Sequence, residues 1–586
     1  MRKKMCTTRR HVIGGVLSLP LLAAFSTLEG TESMIRNHPG AVELRGKEFD
    51  LEIARTPVNL SGKAAMATTI NGRIPGPVLH WNEGDEVTIR VTNRLDVDTS
   101  IHWHGIILPN GMDGVPGLTY PGIRPGETFT YRFTVRQHGT YWYHSHSGFQ
   151  EQSGLYGAIV IHPAAPEPFE YDRDVVVQLS DWTDENPERV YRKLKLSSSY
   201  YSMTHRTVGD FISEVREKGF LEAFAQRSMW NEMAMSDRDI ADVTGYTYTY
   251  LMNGHSPAMG WKALFRPGER VRLRFINSAA MSFFDVRIPG LVMRVVAADG
   301  NHVRPVEVDE FRIGVAETYD VIVEPEAQSA YCLFAQSMDR SGYAVGTLTS
   351  DASLRAPVPE MDPVPVLSHA DMGMAMPEMK GDDGGGMKCG ASMKCGSGMM
   401  KSESASQSDA RLEAIPITPL EQEWGVQTTM RAENPQYRLD DPGAGLRENG
   451  RRVLTYADLK SLRSTADDPW PDRQIVLHLT GNMERYMWSI NGISYADAEA
   501  LEFRYGERIR VTFINDTMMS HPMHLHGLWS DLETGEEGAL PRKHTVIVQP
   551  GSKISYRVTV DAKGNWAYHC HLLYHMAGMF RKVVVS

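Results

Sequence analysis

Pairs of histidines separated by a single residue occur four times in this chain of 586 residues. On a β-strand, residues two apart face the same side, so each pair presents two imidazoles to one place while the middle residue points away. Four such pairs brought together would supply enough imidazoles to bind a cluster of three metal ions. The pairs are His102 and His104, His144 and His146, His524 and His526, and His569 and His571.

A cysteine lies inside the last pair. Because Cys570 stands between His569 and His571, its side chain faces away from theirs. Together with His521 and His575 it can form a trigonal site of two imidazoles and one thiolate, which suits blue copper in electron transfer. Zinc also accepts these ligand types, but structural zinc sites are closed sets of four ligands, whereas the ligands here are split between two places.

The composition of the chain also favours copper. There are 31 Met and 21 His but only 5 Cys, and thioethers and imidazoles are ligands that copper prefers. Five cysteines in a chain of this length are too few to indicate a disulfide framework. The formal net charge is -11 and no basic stripe is present, so the sequence gives no support to nucleic-acid binding.

Methionines are concentrated between residues 361 and 400, where large apolar residues are rare. A segment of this composition cannot bury a core, so core packing does not explain its methionines. Thioethers and thiolates together select Cu(I), while a local disulfide is the alternative for the two cysteines. The expected additional Cu(I) ligands are Met372, Met374, Met376, Met379, Met387, Cys389, Met393, Cys395, Met399 and Met400.

A repeated segment indicates the domain organisation. Residues 83–93, 267–277 and 505–515 align without gaps, each with a turn glycine nine residues before an asparagine and an alternating strand between them. Each copy follows an Asn-Gly pair, which is a hairpin-turn signal. In a second repeated block, Phe334 and Gln336 of the middle copy stand where the outer copies have histidines. The repeats predict three related antiparallel β-sandwich domains, of which the middle one binds no metal.

We expect domain boundaries that follow these repeats. The first domain covers residues 38–165 and the second covers 166–350, with a helical insertion over about 185–245, where apolar residues recur at helical spacing. Residues 351–412 are expected to form a mobile, Met-rich linker. The third domain covers 413–586.

Residues 1–37 are typical of an export signal and N-terminal segment. A positive region precedes an apolar run over 12–24, which is too short to span a bilayer. Arg9 and Arg10 lie in a context that resembles a twin-arginine signal, and an ordinary secretory signal is the alternative. We therefore expect export to the periplasm and no membrane span in the mature protein.

The histidine motifs resemble those of the multicopper oxidases, and the resemblance covers the whole mature chain. The stretches 250–254, 482–488 and 518–526 are similar to the CopA/PcoA copper-resistance oxidases. The resemblance implies an all-β fold of three cupredoxin-like Greek-key β-sandwich domains, with the helical insertion in the middle domain. It also implies a type 1, a type 2 and a binuclear type 3 copper site, four copper ions in all.

The resemblance assigns the ligands of these sites by their position in the motifs. They are His521, Cys570 and His575 for type 1, His102 and His524 for type 2, and His104, His144, His146, His526, His569 and His571 for type 3.

Two further residues are expected to act at these sites. The family usually has an axial methionine ten residues after the type 1 cysteine, whereas here Met579 follows Cys570 by nine. We prefer Met579 to Met576 for this position, where a weak ligand tunes the redox potential. Asp113 follows His104 by nine residues, where related enzymes keep an acid, and we expect it to relay protons. A simple turn aspartate is the alternative.

The resemblance implies an exported oxidase that passes electrons from Cu(I), or from a small organic reductant such as a phenol, to dioxygen. It further implies that dioxygen is reduced to water and that the physiological task is copper resistance. A periplasmic protein that delivers copper is an expected partner. Two alternatives remain at this stage, a laccase-like oxidase of organic substrates and a protein that sequesters copper through its Met-rich segment.

Overall fold

The computed structural model describes residues 42–204, 206–232, 235–326, 329–374 and 411–586. The expected export signal lies outside these residues. No helix in the described ranges is long and apolar enough to cross a lipid bilayer.

The first domain is a sandwich of two sheets. Its strands are β1 (Glu43–Arg45), β2 (Glu48–Val58), β3 (Ala65–Ile70), β4 (Val78–Asn82), β5 (Glu86–Asn93), β6 (His102–His104), β7 (Thr128–Thr134), β8 (Gly139–His144) and β9 (Tyr156–His162). One sheet has the order β1-β4-β9-β8-β6 and the other β3-β2-β5-β7. Burial alternates along β5, with every second residue facing the core, as the period-2 pattern predicts.

The second domain repeats this plan. Its strands are β10 (Arg173–Trp182), β11 (Thr249–Met252), β12 (Trp261–Leu264), β13 (Val271–Asn277), β14 (Phe284–Arg287), β15 (Met293–Ala298), β16 (Asn301–Val308), β17 (Glu310–Ile313), β18 (Thr318–Val323), β19 (Ala330–Ser337) and β20 (Tyr343–Thr349). The two sheets have the orders β11-β10-β13-β18-β15-β16 and β12-β20-β19-β14-β17.

Three helices lie between β10 and β11, inside the range expected for the insertion. They are α1 (Pro187–Leu196), α2 (Val208–Lys218) and α3 (Phe220–Glu232). Side-chain caps begin the first two helices: Asn186 accepts from the main-chain N–H of Arg189, and Thr207 forms a capping box with Asp210.

The third domain is again a two-sheet sandwich. Its strands are β21 (Ile417–Thr418), β22 (Gln436–Tyr437), β23 (Arg473–Asn482), β24 (Met487–Ile490), β25 (Leu501–Phe503), β26 (Arg508–Asn515), β27 (His521–Leu525), β28 (Ser530–Leu532), β29 (Arg542–Lys543), β30 (Thr545–Val548), β31 (Ser552–Thr559), β32 (Gly564–Cys570) and β33 (Phe580–Val585). One sheet has the order β21-β23-β26-β31-β28-β29, with β22 on β31 and β24 on β23, and the other β25-β33-β32-β27-β30. The described chain is therefore mostly strands in several sheets, as the all-β prediction requires.

The asparagine that ends each repeated segment has the same structural task in all three domains. Asn93, Asn277 and Asn515 are fully buried, and each side-chain amide donates to a main-chain carbonyl of the loop that follows. In the third domain the amide reaches the carbonyl of Met519, 2.7 Å away, just before His521. The repeat seen in the sequence therefore braces the loop that leads to a histidine strand.

The first part of the expected linker is packed against the folded domains. Leu367 donates its main-chain N–H to the carbonyl of Asp237, 2.8 Å away, and its side chain is buried. Met372 is fully buried in the main hydrophobic core. Residues 351–374 therefore belong to the folded body. These two side chains make apolar contacts that the average composition of residues 351–412 does not predict. Residues 375–410 lie outside the described residues.

Candidate metal centre

The side chains of His521, Cys570 and His575 meet inside the third domain. Cys570 Sγ lies 3.4 Å from His521 Nδ1 and 3.7 Å from His575 Nδ1, and these two nitrogens are 3.3 Å apart. All three side chains are buried. β27 begins at His521 and runs antiparallel to β32, which ends at Cys570, so strand pairing brings the first two together. Two imidazoles and one thiol form the set that a blue copper site uses.

The outer nitrogen of each imidazole in this group has a partner. His521 Nε2 lies 2.7 Å from the hydroxyl of Thr517, and His575 Nε2 lies 2.6 Å from Oδ2 of Asp242 in the middle domain. The hydroxyl of Tyr486 donates to the same carboxylate oxygen, 3.1 Å away. Burial raises the pKa of Asp242 to about 7. Such partners orient a metal-binding imidazole and leave its other nitrogen free for the metal.

The paired histidines converge where the first and third domains meet. β6 pairs with β8 in the first domain and β27 with β32 in the third, so each domain presents two pairs side by side. His526 Nε2 and His569 Nε2, from neighbouring strands, are 3.0 Å apart. Within each of three groups the candidate donor atoms all lie within 4.8 Å of one another: His102, His524 and His526; His104, His144 and His571; His146, His526 and His569.

These imidazoles are in a state that fits metal binding. In the described structure, Nε2 of His102, His144 and His524, and both nitrogens of His571, are buried without a hydrogen-bond partner. Burial, and then the neighbouring imidazoles, lower the pKa of His104 and His571 well below the usual value, so these rings are neutral. A neutral imidazole offers a lone pair to a metal. Unpaired buried nitrogens are costly unless a ligand takes them up.

Asp113 connects the two domains at this cluster. Its Oδ2 lies 3.0 Å from Nδ1 of His526, and its main-chain oxygen lies 2.7 Å from Nδ1 of His102. The residue follows a short 3-10 helix and is buried. A Cβ on the next residue, Gly114, would lie 1.8 Å from the carbonyl oxygen of Ile101, so this turn needs glycine. The turn thus fixes the carboxylate against two candidate ligands.

Two residues at the cluster lie outside the histidine motifs. Oε2 of Glu151 is 2.6 Å from Nδ1 of His144, and burial raises the pKa of this carboxyl well above its usual range. His544 has a ring nitrogen within 4.8 Å of donor atoms of His104 and His524, and its main-chain oxygen lies 2.6 Å from Nδ1 of His524. No spacing rule in the sequence points to either residue.

The middle domain contributes to none of the candidate metal groups in the described ranges. The side-chain amide of Gln336, which stands where the outer domains have a histidine, donates to the carboxylate of Asp362, 2.6 Å away, and its carbonyl oxygen accepts from the main-chain N–H of the same residue. Phe334 packs in a small apolar cluster with Cys332 and Val345. The replacement of imidazoles by an amide and a phenyl ring accounts for the missing ligands.

Comparison with known families decides the classification. Models of the multicopper oxidase family match residues 52–166, 173–353 and 468–586, well over half of the chain. The chain belongs to the multicopper oxidase family. This multicopper oxidase is accordingly an oxidoreductase with copper cofactors, and its substrates are dioxygen and a reductant.

Several proteins similar to this multicopper oxidase are known. Copper resistance protein A of Escherichia coli is 55% identical, and the alignment covers 99% of both chains. A copper resistance protein A homolog of Pseudomonas syringae pv. tomato is 54% identical, again over 99% of both chains. The crystal structure of Fet3p, a multicopper oxidase that functions in iron import, has a TM-score of 0.61 at 18% identity and covers 93% of this chain and 91% of its own. That last likeness shows the fold alone, namely the three-domain cupredoxin-like architecture.

The two methionines considered for the axial position differ in burial. Met579 is fully buried, and its main-chain oxygen accepts from the N–H of Cys570, 3.0 Å away. Met576 is half-buried at the edge of the core. The burial of Met579 and its main-chain hydrogen bond to Cys570 at the end of β32 favour it over Met576. Met579 remains our prediction for the axial ligand of this multicopper oxidase.

Two of the methionines expected to bind additional Cu(I) fall within the described residues. Met372 is buried in the core, and Met374 is half-buried against it. The other expected ligands lie outside the described residues; they are Met376, Met379, Met387, Cys389, Met393, Cys395, Met399 and Met400.

Proposed function

We propose that this multicopper oxidase is a periplasmic copper-resistance enzyme that oxidises Cu(I) and reduces dioxygen to water. The observation that carries the proposal is the direct covalent link in 569–571: Cys570 faces one metal group, while His569 and His571 face the other. We assign one type 1 copper to His521, Cys570 and His575, and a type 2 copper and a type 3 pair to the histidine cluster. Bound copper would supply one-electron transfer at the first site and four-electron reduction of dioxygen at the second.

Electron entry is assigned to the side of the type 1 group that faces the middle domain. Asp242 holds His575 by a 2.6 Å contact at Nε2, which fixes the ring with Nδ1 toward Cys570. Trp488 stacks on the same ring at a centroid distance of 3.9 Å. Single peptide bonds join Cys570 to His569 and to His571. An electron therefore has a short covalent route from the type 1 group to the histidine cluster.

The carboxylate of Asp113 is assigned the delivery of protons to the cluster. It is buried, lies between His102 and His526, and is within hydrogen-bond distance of the latter. Imidazoles that bind a metal cannot easily donate protons, and reduction of dioxygen to water consumes four of them, so an acid is needed nearby.

A cleft between the first and second domains supports access of dioxygen to the cluster. It has a volume of about 750 Å³, and its lining includes His146, Gln150 and Trp182. His146 is half-buried, in contrast with the other cluster histidines. A diatomic molecule can therefore reach one edge of the cluster from this cleft.

Three observations favour Cu(I) over an organic reductant. His521 and His575 are fully buried, and the pocket beside Asp242 has a volume of only about 10 Å³. That volume is about one water-sized sphere, so an ion fits and a phenol does not. Relatives at 54–55% identity carry the name copper resistance protein A. The methionine-rich segment supplies the soft ligands that Cu(I) prefers.

The N-terminal sequence supports export by the twin-arginine route.

The decisive measurement is an absorption spectrum with a copper count on the copper-loaded protein, alongside Cys570→Ser. We expect about four coppers and an intense blue band that the variant loses, because a Cu(II)–thiolate site requires this cysteine. A colourless wild-type protein that still binds copper would overturn the oxidase and leave copper sequestration.

A second experiment separates oxidation from sequestration. A deletion of residues 376–400 removes most of the methionine-rich segment and spares residues 351–374, which pack on the folded domains. Cuprous oxidation that falls while oxidation of a phenol persists supports the oxidase with a Cu(I)-collecting segment. Unchanged kinetics with lost copper tolerance in cells would instead assign this segment to storage.

A further inference from the structure

His544, between β29 and β30, lies beside the histidine cluster but belongs to none of the histidine pairs. One of its ring nitrogens lies within 4.8 Å of a ring nitrogen of His104 and of one of His524. The side chain is buried, and its Nε2 has no hydrogen-bond partner in the described structure. A buried nitrogen is costly to leave unpaired, so Nε2 of His544 needs a polar partner at this place.

His104 lacks the outer contact that several other cluster histidines have. A histidine that binds a metal through one ring nitrogen usually donates its other N–H to a protein group or to water. His102, His524 and His526 each have such a contact at Nδ1, at 2.7, 2.6 and 3.0 Å. Both ring nitrogens of His104 are buried and unpaired within the described residues. One of them can serve a metal, and the other still needs a partner.

The residue that follows His104 leaves room for the ring of His544. Gly105 has a φ of +79°, and a Cβ built on it would lie 2.4 Å from Cδ2 and 3.0 Å from Nε2 of His544. The ring therefore packs directly on the main chain at Gly105, where only glycine fits. The rings of His104 and His544 lie edge to face, with their centroids 4.8 Å apart. The unpaired Nε2 thus lies against the segment that carries His104.

A turn of the middle domain anchors the segment that carries His544. Asp299 and Gly300 join β15 to β16 with φ angles of +46° and +76°, as in a type I′ hairpin turn. Oδ2 of Asp299 accepts from the main-chain N–H groups of His544 and Thr545, each 3.1 Å away. The same oxygen lies 3.1 Å from Nζ of Lys543. One buried carboxylate of the middle domain therefore holds residues 543–545 of the third.

This carboxylate also favours one tautomer of His544. Nδ1 of the ring lies 3.6 Å from Oδ2 of Asp299 and 3.1 Å from the hydroxyl of Thr545. An ionised carboxylate, here paired with Lys543, accepts hydrogen bonds and donates none, so it favours a hydrogen on Nδ1. Nε2 is then an acceptor. A metal-bound His104 has an N–H to donate, and the two rings are therefore complementary.

We propose that His544 is a positioning residue of the histidine cluster, which holds the outer N–H of His104 through one water molecule. No direct hydrogen bond satisfies either nitrogen in the described structure, whereas two hydrogen bonds of about 2.8 Å through one water span roughly 4.5 Å. That span agrees with the separation of less than 4.8 Å between the ring nitrogens. Buried water is typically found between polar groups that would otherwise be unpaired.

The main-chain oxygen of His544 acts on a second ligand. It lies 2.6 Å from Nδ1 of His524, so one residue orients a proposed type 3 ligand through its ring and a proposed type 2 ligand through its main chain. Asp299 gives the middle domain a part in the cluster, although that domain contributes to none of the candidate metal groups in the described ranges. The inference rests on the ligand roles under the proposed function and adds a residue to them.

The test compares His544→Leu and His544→Gln with wild type. Leucine removes both ring nitrogens and leaves the main-chain contact to His524, whereas glutamine keeps a side-chain amide that can donate and accept. His80→Leu is the matched control, because His80 is a buried histidine that pairs with His162 at 3.1 Å and lies outside the cluster groups. The measurements are copper retained in competition with a chelator, the blue absorption, and thermal unfolding of the copper-free proteins.

We expect His544→Leu to weaken copper binding at the cluster by roughly 10- to 100-fold, the usual loss when an outer partner of a metal ligand is removed. The blue band should stay as in wild type, copper-free stability should fall no further than in His80→Leu, and His544→Gln should recover most of the affinity.

Three results would overturn the role of His544 and leave the proposed function intact. They are wild-type copper affinity in His544→Leu, equal losses in the leucine and glutamine variants, and a matching loss of cluster copper in His80→Leu. The last two would assign the effect to packing of the fold. A wild-type protein that retains no copper at the cluster, whatever the variants do, would overturn the proposed function itself.

Discussion

The carboxylate oxygen Oδ2 of Asp113, in the first domain, lies 3.0 Å from Nδ1 of His526 in the third domain. The same residue holds Nδ1 of His102 through its main-chain oxygen, so two different atoms of one residue orient imidazoles from two domains. The main-chain contact does not depend on the side chain. A substitution can therefore remove the acid and leave one of the two contacts in place.

Asp113→Asn should lower kcat by about 100-fold or more while copper content stays near the wild-type value, because the change removes a general acid and keeps the shape of the side chain. The measurement is kcat with a saturating reductant, together with a copper count. Asp96→Asn, at an exposed position, is the control. A variant with normal kcat would show that Asp113 is only a turn residue.

Glu151→Gln tests the second buried carboxylate. The wild-type oxygen lies 2.6 Å from Nδ1 of His144 and fixes the ring with Nε2 toward the cluster. Loss of this partner should weaken copper binding at the cluster by about 10- to 100-fold, as measured by competition with a chelator. The type 1 absorption should not change. Glu127→Gln, on the exposed surface of the same domain, should bind copper like wild type. Equal affinities for all three proteins would refute the assignment.

The histidine cluster could be predicted because the histidines of each pair are only two residues apart in the sequence. The period of two on a strand places His102 and His104 on one side of β6, and Trp103 between them is buried in the domain core against Trp81, at a ring distance of 5.9 Å. The repeat around Asn93 and Asn515 in turn indicated that the strands of the two outer domains are equivalent.

The outer partners could not be predicted because they are brought in by tertiary packing. Asp242 comes from the far side of the helical insertion and meets His575 across 333 positions of the chain. Nothing in its local sequence distinguishes it from a surface aspartate. Met372 shows the opposite problem, since the composition around it indicates a linker while its own side chain is fully buried. Composition is an average over a segment and does not reveal a single buried side chain within it.

Met579→Leu should change the redox potential of the type 1 site and not its copper content. A weak axial thioether tunes the potential, and its replacement by an alkyl group should raise that potential while the blue colour persists. Met576→Leu is the matched control at the alternative position and should leave the potential as in wild type. Potentiometric titration of the blue band measures both. A shift in the control alone would assign the axial role to Met576 instead.

Gly578→Ala should disturb the loop that carries Met579. A Cβ at this position would lie 1.9 Å from the carbonyl oxygen of Trp488, which belongs to the backbone of β24 and cannot move aside like a side chain. Trp488 also stacks on His575 at 3.9 Å, so relief of the clash must displace the loop, the stacked ring or both. We expect a loss of about 1–3 kcal/mol in the free energy of unfolding, as for other overpacked sites, with a shifted blue band.

The control for this prediction is Gly538→Ala. Its added Cβ would meet only the Cβ of Ala466 at 3.8 Å, which is an ordinary van der Waals contact. Thermal unfolding of the copper-loaded proteins and their visible spectra should therefore separate the two variants. If Gly578→Ala kept the wild-type spectrum and stability, the backbone at Trp488 would have to move without cost. The close approach of β24 to the loop that carries Met579 would then have no effect on the type 1 site.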